Sequence, residues 1–393
     1  MQQTTPRTSC TRYVLVPVVV SLAASAPIAA GAADDGSQDS PTAREILNKT
    51  NFQGGLIVHL GCGDGRLTTA LRRNDACVVH GLDVDAGQVA ETREIIRESG
   101  AYGKVSVDTF DGKHLPYADN LVNLVVVSQA FSVDRDEVLR VLGPGGVAFW
   151  KGEGQRTEDK EAGLLRKPWP EEIDQWTHFL YNSSGNAVSC DRRVGPLERL
   201  QWDGGPRWSR SHETDMSLTA AVTAGGRIFH TVDDGPIGVH ETPRTTRQLP
   251  DKCSLVARDA FNGKLLWKRA IERWGTRGWE RRALRATSPM APRRLVAGDG
   301  RLFVTLGFGA PVSMLEGSTG RVLRTFESTE SAEELRYLDG VLLIRDGDGS
   351  VVAIDTASST TLWRAKGRVR AQTLAASGDL VLYQEGESLC CRG

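Results

Sequence analysis

Three glycines at alternate positions, Gly61, Gly63 and Gly65, stand in the run Val58-His-Leu-Gly-Cys-Gly-Asp-Gly65, and two carboxylates, Asp83 and Asp111, follow it. Glycine allows positive φ and puts no Cβ between main chain and ligand, so such a run can lay backbone amides against a bound group. Asp83 falls roughly 20 residues beyond the loop, where a strand-end carboxylate can accept both hydroxyls of a ribose. Asp111 precedes Gly112, a pair that suits a turn as well as a ligand contact. The spacing G-x-G-x-G is not the G-x-G-x-x-G of dinucleotide sites, so NAD is not expected. Cys62 reads as small packing beside the loop, and His59 as a packed or water-bonded side chain. No residue nearby stands out as a general base, so no catalytic set is assigned. Beyond residue 32 the cysteines are Cys62, Cys77, Cys190, Cys253, Cys390 and Cys391. They include no C-x-x-C pair and no metal-finger spacing, so no metal site is expected.

To present that loop, the chain must supply a strand before it and a helix after it. Gly54-Gly55-Leu56-Ile57 leads in, and Arg66-Leu-Thr-Thr-Ala-Leu-Arg-Arg73 follows with a helical pattern. The stretch then alternates as α/β chains do. Helices are expected over 43–48, 67–73 and 89–98, with strands over 56–60, 77–82, 104–108 and 121–127. The apolar run 121–127 suits a strand buried on both faces of a parallel sheet. Glu137 to Gly146 reads as a helix closed by Gly143-Pro144, followed by a strand over 147–150. Lys151 to Lys167 is charged and loop-like.

These residues resemble the motifs of class I S-adenosylmethionine-dependent methyltransferases over about 95 residues, from Gly55 to Trp150. The glycine loop is similar to the first motif, Gly81-Leu-Asp83-Val-Asp85 to the second, and Asp111-Gly112 to the segment near the adenine amine. Leu139-Arg-Val-Leu-Gly-Pro-Gly-Gly146 is similar to the segment after the fourth strand. The resemblance implies an α/β doubly wound, Rossmann-like domain. It also implies S-adenosyl-L-methionine as cofactor, bound through Gly61, Cys62, Gly63, Gly65, Asp83 and Asp111. Three features depart from the family. His59 stands where an acidic residue is common, Asn123 replaces an aspartate, and no strand pair after Trp150 completes the usual sheet.

From Trp169 the texture changes. Trp176-Thr-His-Phe179 and Gly195-Pro-Leu-Glu-Arg-Leu-Gln-Trp202 resemble the lead-in segment of pyrroloquinoline-quinone-type β-propeller proteins. Ser254–Trp267, Ser313–Arg324 and Val352–Trp363 then form a repeat of strand, polar turn and strand. A strand led by Gly226, Gly300, Gly340 or Gly378 goes with each unit. The longer first interval holds an insertion over Trp274–Arg285. About three blades and part of a fourth are expected, leaving an open edge that a further repeat or another copy would cover. The tryptophans are expected to pack between blades. Cys390-Cys391 lacks the carboxylates and amides that would hold a metal and quinone, so pyrroloquinoline quinone is not expected.

The chain has 393 residues, 42 of them glycine and nine tryptophan, with a formal net charge of −1. That charge implies no strongly basic face, and no nucleic-acid partner is expected. Arg7 and Arg12 precede an apolar run and Ala30-Gly-Ala32, as in a cleaved signal peptide, so no membrane span is expected after cleavage. The expected organisation is a signal peptide over 1–32, leader and first helix over 33–53, and methyltransferase-like domain over 54–151. A linker and propeller lead-in segment over 152–200 and a partial quinoprotein-type β-propeller over 201–393 complete it. The leading expectation is an exported protein, periplasmic or extracellular, acting on an unidentified methyl acceptor, with the propeller available to a protein partner. The alternative is a non-catalytic binding or scaffold protein; a quinone-dependent oxidoreductase is the least expected.

Overall fold

The computed structural model describes residues 40–129, 131–151, 163–196, 200–205, 218–235, 252–271 and 290–393. All of these belong to one compact unit, Gln38–Gly393. The expected export segment over 1–32 and the Trp274–Arg285 insertion lie outside them.

The first half is built on a six-stranded sheet. Its elements in chain order are α1 (Pro41–Lys49), β1 (Gly55–Leu60), α2 (Arg66–Ala70), β2 (Cys77–Asp83), α3 (Ala86–Glu98) and β3 (Val105–Thr109). They continue with β4 (Val122–Val127), α4 (Arg135–Val141), β5 (Leu142–Trp150) and β6 (Leu164–Arg166). The strand order is β3-β2-β1-β4-β5-β6, with β1 to β5 parallel and β6 antiparallel. The sequence folds this way because β1 and β4 are apolar on both faces, and each face needs a covering layer. One layer joins Ala43, Ile46, Val89 and Ile96 to Ile57 and Leu124; the other joins Val138 and Val141 to Val58 and Val125. The expected first helix, α1, thus packs into the same core as the sheet. Asp85 accepts bonds from the Gly87 and Gln88 amides and so caps α3.

Two local expectations are corrected. Gly143-Pro144 does not close a helix; α4 ends at Val141, and the glycines open β5 at a register shift between Val122 and Leu124. Such an irregularity tolerates proline, which has no amide to give the ladder. The Lys167 ammonium donates to the Leu139 and Leu142 carbonyls and so fastens the helix end. Lys151 to Lys167 is not loop throughout, because β6 pairs with β5 and buries Leu165. Three residues are too few to show a strand period in sequence.

Among the described residues the second half forms four antiparallel sheets in succession. They are β7 (Leu218–Ala224) to β8 (Arg227–Asp233), β9 (Cys253–Asp259) and β10 (Leu265–Ala270); then β11 (Leu295–Gly298), β12 (Arg301–Thr305), β13 (Val312–Glu316) and β14 (Val322–Phe326). The third has β15 (Ala332–Leu338), β16 (Val341–Asp346), β17 (Val351–Asp355) and β18 (Thr361–Ala365). The last has three strands, β19 (Ala375–Ser377), β20 (Leu380–Glu385) and β21 (Ser388–Arg392). Each is a meander, and the glycine-led strands expected from sequence are β8, β12, β16 and β20. The first strands stand side by side in the order β7, β11, β15, β19.

The segment Trp176–Ser183 crosses these four strands in turn. Its Trp176, Thr177 and Ser183 carbonyls accept from the Thr223, Ala297 and Ala376 amides, and His178 Nε2 accepts from the Tyr337 amide. The expected packing of tryptophans between sheets is seen at Trp267, whose indole donates to the Gly317 carbonyl of the next sheet.

Candidate functional site

Parallel pairing sets His59 beside Gly81 and Leu60 beside Leu82, so the glycine loop after β1 and Asp83 at the end of β2 emerge together. The Gly61 amide donates to the Leu82 carbonyl, which joins the two strand ends directly. Asp111 follows β3, the next strand outward, and reaches the same carboxyl edge of the sheet. Beyond β1 the order reverses toward β4, and such a switch point is where open α/β sheets form a ligand crevice.

The loop needs its glycines for definite reasons. Gly61 has φ +82°, and a Cβ there would lie 2.6 Å from the Gln129 Cβ. Gly65 has φ +74°, and its Cβ would lie 2.7 Å from a Thr92 methyl. From α3, Thr92 Oγ1 and Gln88 Nε2 both donate to the Gly63 carbonyl. They fix the loop's peptide planes from behind. Sequence reasoning missed this pair, since only the helical fold of 86–98 shows which α3 residues face the loop. The helix after the loop has five residues, shorter than expected, so its dipole is small and the main chain itself is what the loop offers.

Asp83 is 5% exposed. Its Oδ1 accepts from the Val84 and Asp85 amides, while Oδ2 lies 3.9 Å from the Cys62 sulfur. One oxygen thus fixes the strand end, and among the described residues the other has only the Cys62 thiol as a donor. Cys62 is a thiol, pushed up to about 11 by burial and by the Asp83 charge, which removes it as a nucleophile near neutral pH. Asp111 is exposed, and Oδ1 accepts from the Lys113 and His114 amides while Oδ2 pairs with His114 Nδ1 at 2.6 Å. These bonds hold its carboxyl well below the usual carboxylate range. A carboxylate has further lone pairs, so one more donor can still be accepted.

His59 lies beneath the loop, 1% exposed. Thr68 Oγ1 is 2.8 Å from Nδ1 and Ser128 Oγ is 2.8 Å from Nε2. Burial, then the Lys151 charge, brings its pKa down to about 4, so it is neutral at pH 7. Ser128 directly follows the apolar run of β4, a position legible in sequence as the mouth of the crevice.

Asn123, one of the departures noted above, faces away from this crevice at the amino end of β4. Its Oδ1 accepts from the Leu56 amide and from Asn262, and its Nδ2 donates to Asp259 Oδ2 at 2.7 Å. Asn262 also donates to the Leu121 carbonyl, and Lys264 to that of Asp75. The turn between β9 and β10 is therefore seated on the amino edge of the sheet, opposite the glycine loop. Gly55 permits this, since a Cβ there would meet Asn123 Oδ1 at 2.1 Å.

All six cysteines in the described residues are free thiols. Among those residues no group of three or more His, Cys, Asp or Glu is placed to hold a metal, and no helix is long and apolar enough to cross a membrane.

A family model for a methyltransferase domain matches residues 57–146, and one described as outer membrane protein assembly factor BamB matches residues 251–390. The methyltransferase GfsG of Streptomyces halstedii is 35% identical over 99 residues, 24% of this chain and 36% of that protein. Among solved structures, geranyl diphosphate C-methyltransferase of Streptomyces coelicolor A3(2) was determined with Mg2+, geranyl diphosphate and S-adenosyl-L-homocysteine. It is 23% identical, covering 28% of this chain and 43% of that one at a TM-score of 0.26. The computationally designed Ika8 protein is 13% identical, covering 45% of each chain at a TM-score of 0.30. The chain thus spans about a third of the curated relative and about half of the solved methyltransferases it matches. Residues 57–146 are a methyltransferase domain, and residues 251–390 belong to the quinoprotein-type repeat family.

Proposed function

We propose that the chain binds S-adenosyl-L-methionine at the carboxyl edge of the sheet and transfers its methyl group to an acceptor that reaches the crevice beside Ser128. The observation that carries this reading is the junction of the Gly61–Gly65 loop with the nearly buried Asp83, one of whose carboxylate oxygens has no nitrogen or oxygen donor among the described residues. The loop backbone would hold the amino-acid end, Asp83 the ribose hydroxyls and Asp111 the adenine amine. When bound, the cofactor supplies an electrophilic methyl on a sulfonium. The chain contributes positioning, which by itself accounts for a large part of the rate of such transfers. Isothermal titration of the folded protein with S-adenosyl-L-methionine tests this. Heat of binding is expected, and Asp83→Ala should abolish it; no heat at millimolar ligand overturns the reading.

A binding protein that retains the fold without turnover is the second reading. It is favoured by His59, which is neutral and sequestered between two hydroxyls where the related family often has an acid. Cofactor binding without methyl transfer to any acceptor would select it. We also propose that residues 1–32 direct export, to the periplasm or the medium, and that the repeat sheets serve a protein partner or present substrate. A mature N-terminus at or near residue 33 would support export, and an intact Met1 on cell-associated protein would refute it.

A further inference from the structure

We propose that Glu137 and Arg140 of α4 are positioning residues for recognition of the base, acting through the 110–121 connection to aim Asp111 at the adenine amine. The inference rests on the cofactor reading given above. Residues 110–121 join β3 to β4 and pass over β2 and β1 on the way. A connection between parallel strands is usually a helix. Here it is irregular along its length. Leu115 and Tyr117 stand in for a helix face, packing with Val58 and Leu82 over the sheet. An irregular crossover has no ladder of its own, so its main chain must find other partners.

The α4 helix supplies them. The Arg140 guanidinium uses all five of its donors. Nε donates to Glu137 Oε2 at 2.7 Å, and Nη1 donates to the Tyr117 carbonyl and to Asp119 Oδ1. Nη2 donates to the Leu115 carbonyl and to Glu137 Oε1. Glu137 Oε1 also accepts from the Leu115 amide at 2.7 Å. The two preceding amides, of Lys113 and His114, go to Asp111 Oδ1. Glu137 thus takes up the main chain at the residue where the Asp111 turn ends. At the other side of the turn, the Phe110 amide donates to the Asp83 carbonyl. Gly112 has φ +79°, and a Cβ there would lie 3.1 Å from a Val84 methyl. The Asp111 turn is therefore held at one side by the end of β2 and at the other by α4.

The five acceptors of Arg140 do not include Asp111, so its effect on a bound base is indirect. Its rigid planar fork is what fixes the turn, and lysine would keep the charge without that geometry. Asp83 and the glycine loop are held by other bonds, from the Val84, Asp85 and Gly61 amides. Loosening α4's hold should therefore be felt at the base amine and not at the ribose or the amino-acid end.

Isothermal titration with S-adenosyl-L-homocysteine and with S-inosyl-L-homocysteine, which has a carbonyl in place of the adenine amine, tests the proposal. The wild-type chain should prefer the adenine ligand by about tenfold or more, as expected for a hydrogen bond to a charged group. Arg140→Lys and Glu137→Gln should each remove most of that preference, weakening the adenine ligand and leaving the other within about twofold. Asp111→Asn should also remove it, and combining Asp111→Asn with Arg140→Lys should add little. Equal weakening of both ligands, as a general loosening of the fold would give, overturns the proposal, and so does an unchanged preference. A wild-type chain that binds neither ligand overturns the cofactor reading and this inference with it. Should both α4 variants fail to fold, Asp119→Ala decides, since it removes one exposed acceptor of Arg140: the adenine preference should fall, and an unchanged preference overturns the proposal.

Discussion

Asn123→Asp is an almost isosteric change that should be costly because of where the amide points. Asn123 Nδ2 donates to Asp259 Oδ2 across 2.7 Å, and Asp259 is 5% exposed. A carboxylate at 123 would face a carboxylate. Two unit charges about 4 Å apart in surroundings of effective dielectric about 20 repel by about 4 kcal/mol. Protonating one instead, by raising an ordinary carboxyl pKa of about 4 to about 7, costs about 4 kcal/mol at neutral pH. Burial already pushes Asp259 up, which trims this second cost. The two routes agree, and about 3 to 4 kcal/mol should be lost at pH 7. At pH 5 a shared proton restores a hydrogen bond between the carboxyls, and the loss should shrink to about 1 to 2 kcal/mol. Asn123→Ala is the control. It leaves the Leu56 amide and Asp259 Oδ2 without their partner at any pH, a loss of about 2 to 4 kcal/mol that does not shrink with acid. Urea unfolding at pH 7 and pH 5 measures both. Equal losses for the two variants at both pH values, or less than about 1 kcal/mol for Asn123→Asp at pH 7, would refute the account of this contact.

Three further outcomes follow from the same structure. Gly320→Ala forces a side chain into φ +70° and against the Trp267 ring, so it should lower stability by about 2 to 4 kcal/mol in denaturant melts. Ser359→Gly, at the equivalent turn under Arg324, relieves positive φ but loses a hydroxyl bond, and should change the midpoint little. Buried histidines make the fold acid-sensitive above the carboxylate range: burial lowers His59 to about 4, His178 to about 3 and His230 to about 4. Above pH 6.5 these rings are neutral in both states and their stability is fully present. Below it the unfolded chain takes up protons that the folded sites refuse, so stability falls toward pH 4, by up to about 3 kcal/mol per ring. A melting temperature that stays level from pH 7 to pH 5 would contradict this.

Much of the α/β half was legible because the periods were long enough to count. The apolar run over 121–127 and the 13-residue α3 announce themselves, and both fall within a few residues of the expected bounds. Gly143-Pro144 misled because the same pair serves a helix stop and a strand irregularity, and only the pairing of Val122 with Leu142 distinguishes them. The nearness of the glycine loop and Asp83 was legible, since their separation reflects one strand and its return. Thr92 and Gln88 were not, for their role depends on which face of α3 packs toward Gly63. The repeats were visible through their turns, whereas the path of Trp176–Ser183 across four strands leaves no periodic trace: it is an irregular segment whose bonds go to distant partners.

Asn123 shows why a departure from a family pattern need not weaken a site. At the amino edge of the sheet it is 123's neighbour, not a ligand, that dictates the side chain, and with Asp259 opposite only an amide can both donate to it and accept from the Leu56 amide. Gly55 and Asn262 belong to the same solution, one by leaving room and one by supplying a second donor. The repeat sheets are thus fastened where strands begin, which leaves the ends of β1, β2 and β3 uncommitted to them. His59 is a different case, since it lies under the loop itself. Its two ring nitrogens are matched to Thr68 and Ser128, so it ties the start of α2 to the end of β4 beneath the glycines. An acid there could accept from both hydroxyls but would bury a charge, whereas a neutral ring makes both bonds without one. The substitution at 59 therefore keeps the shape of the loop while removing a negative charge from beneath it. Cofactor affinity, more than fold, is where that change should be felt.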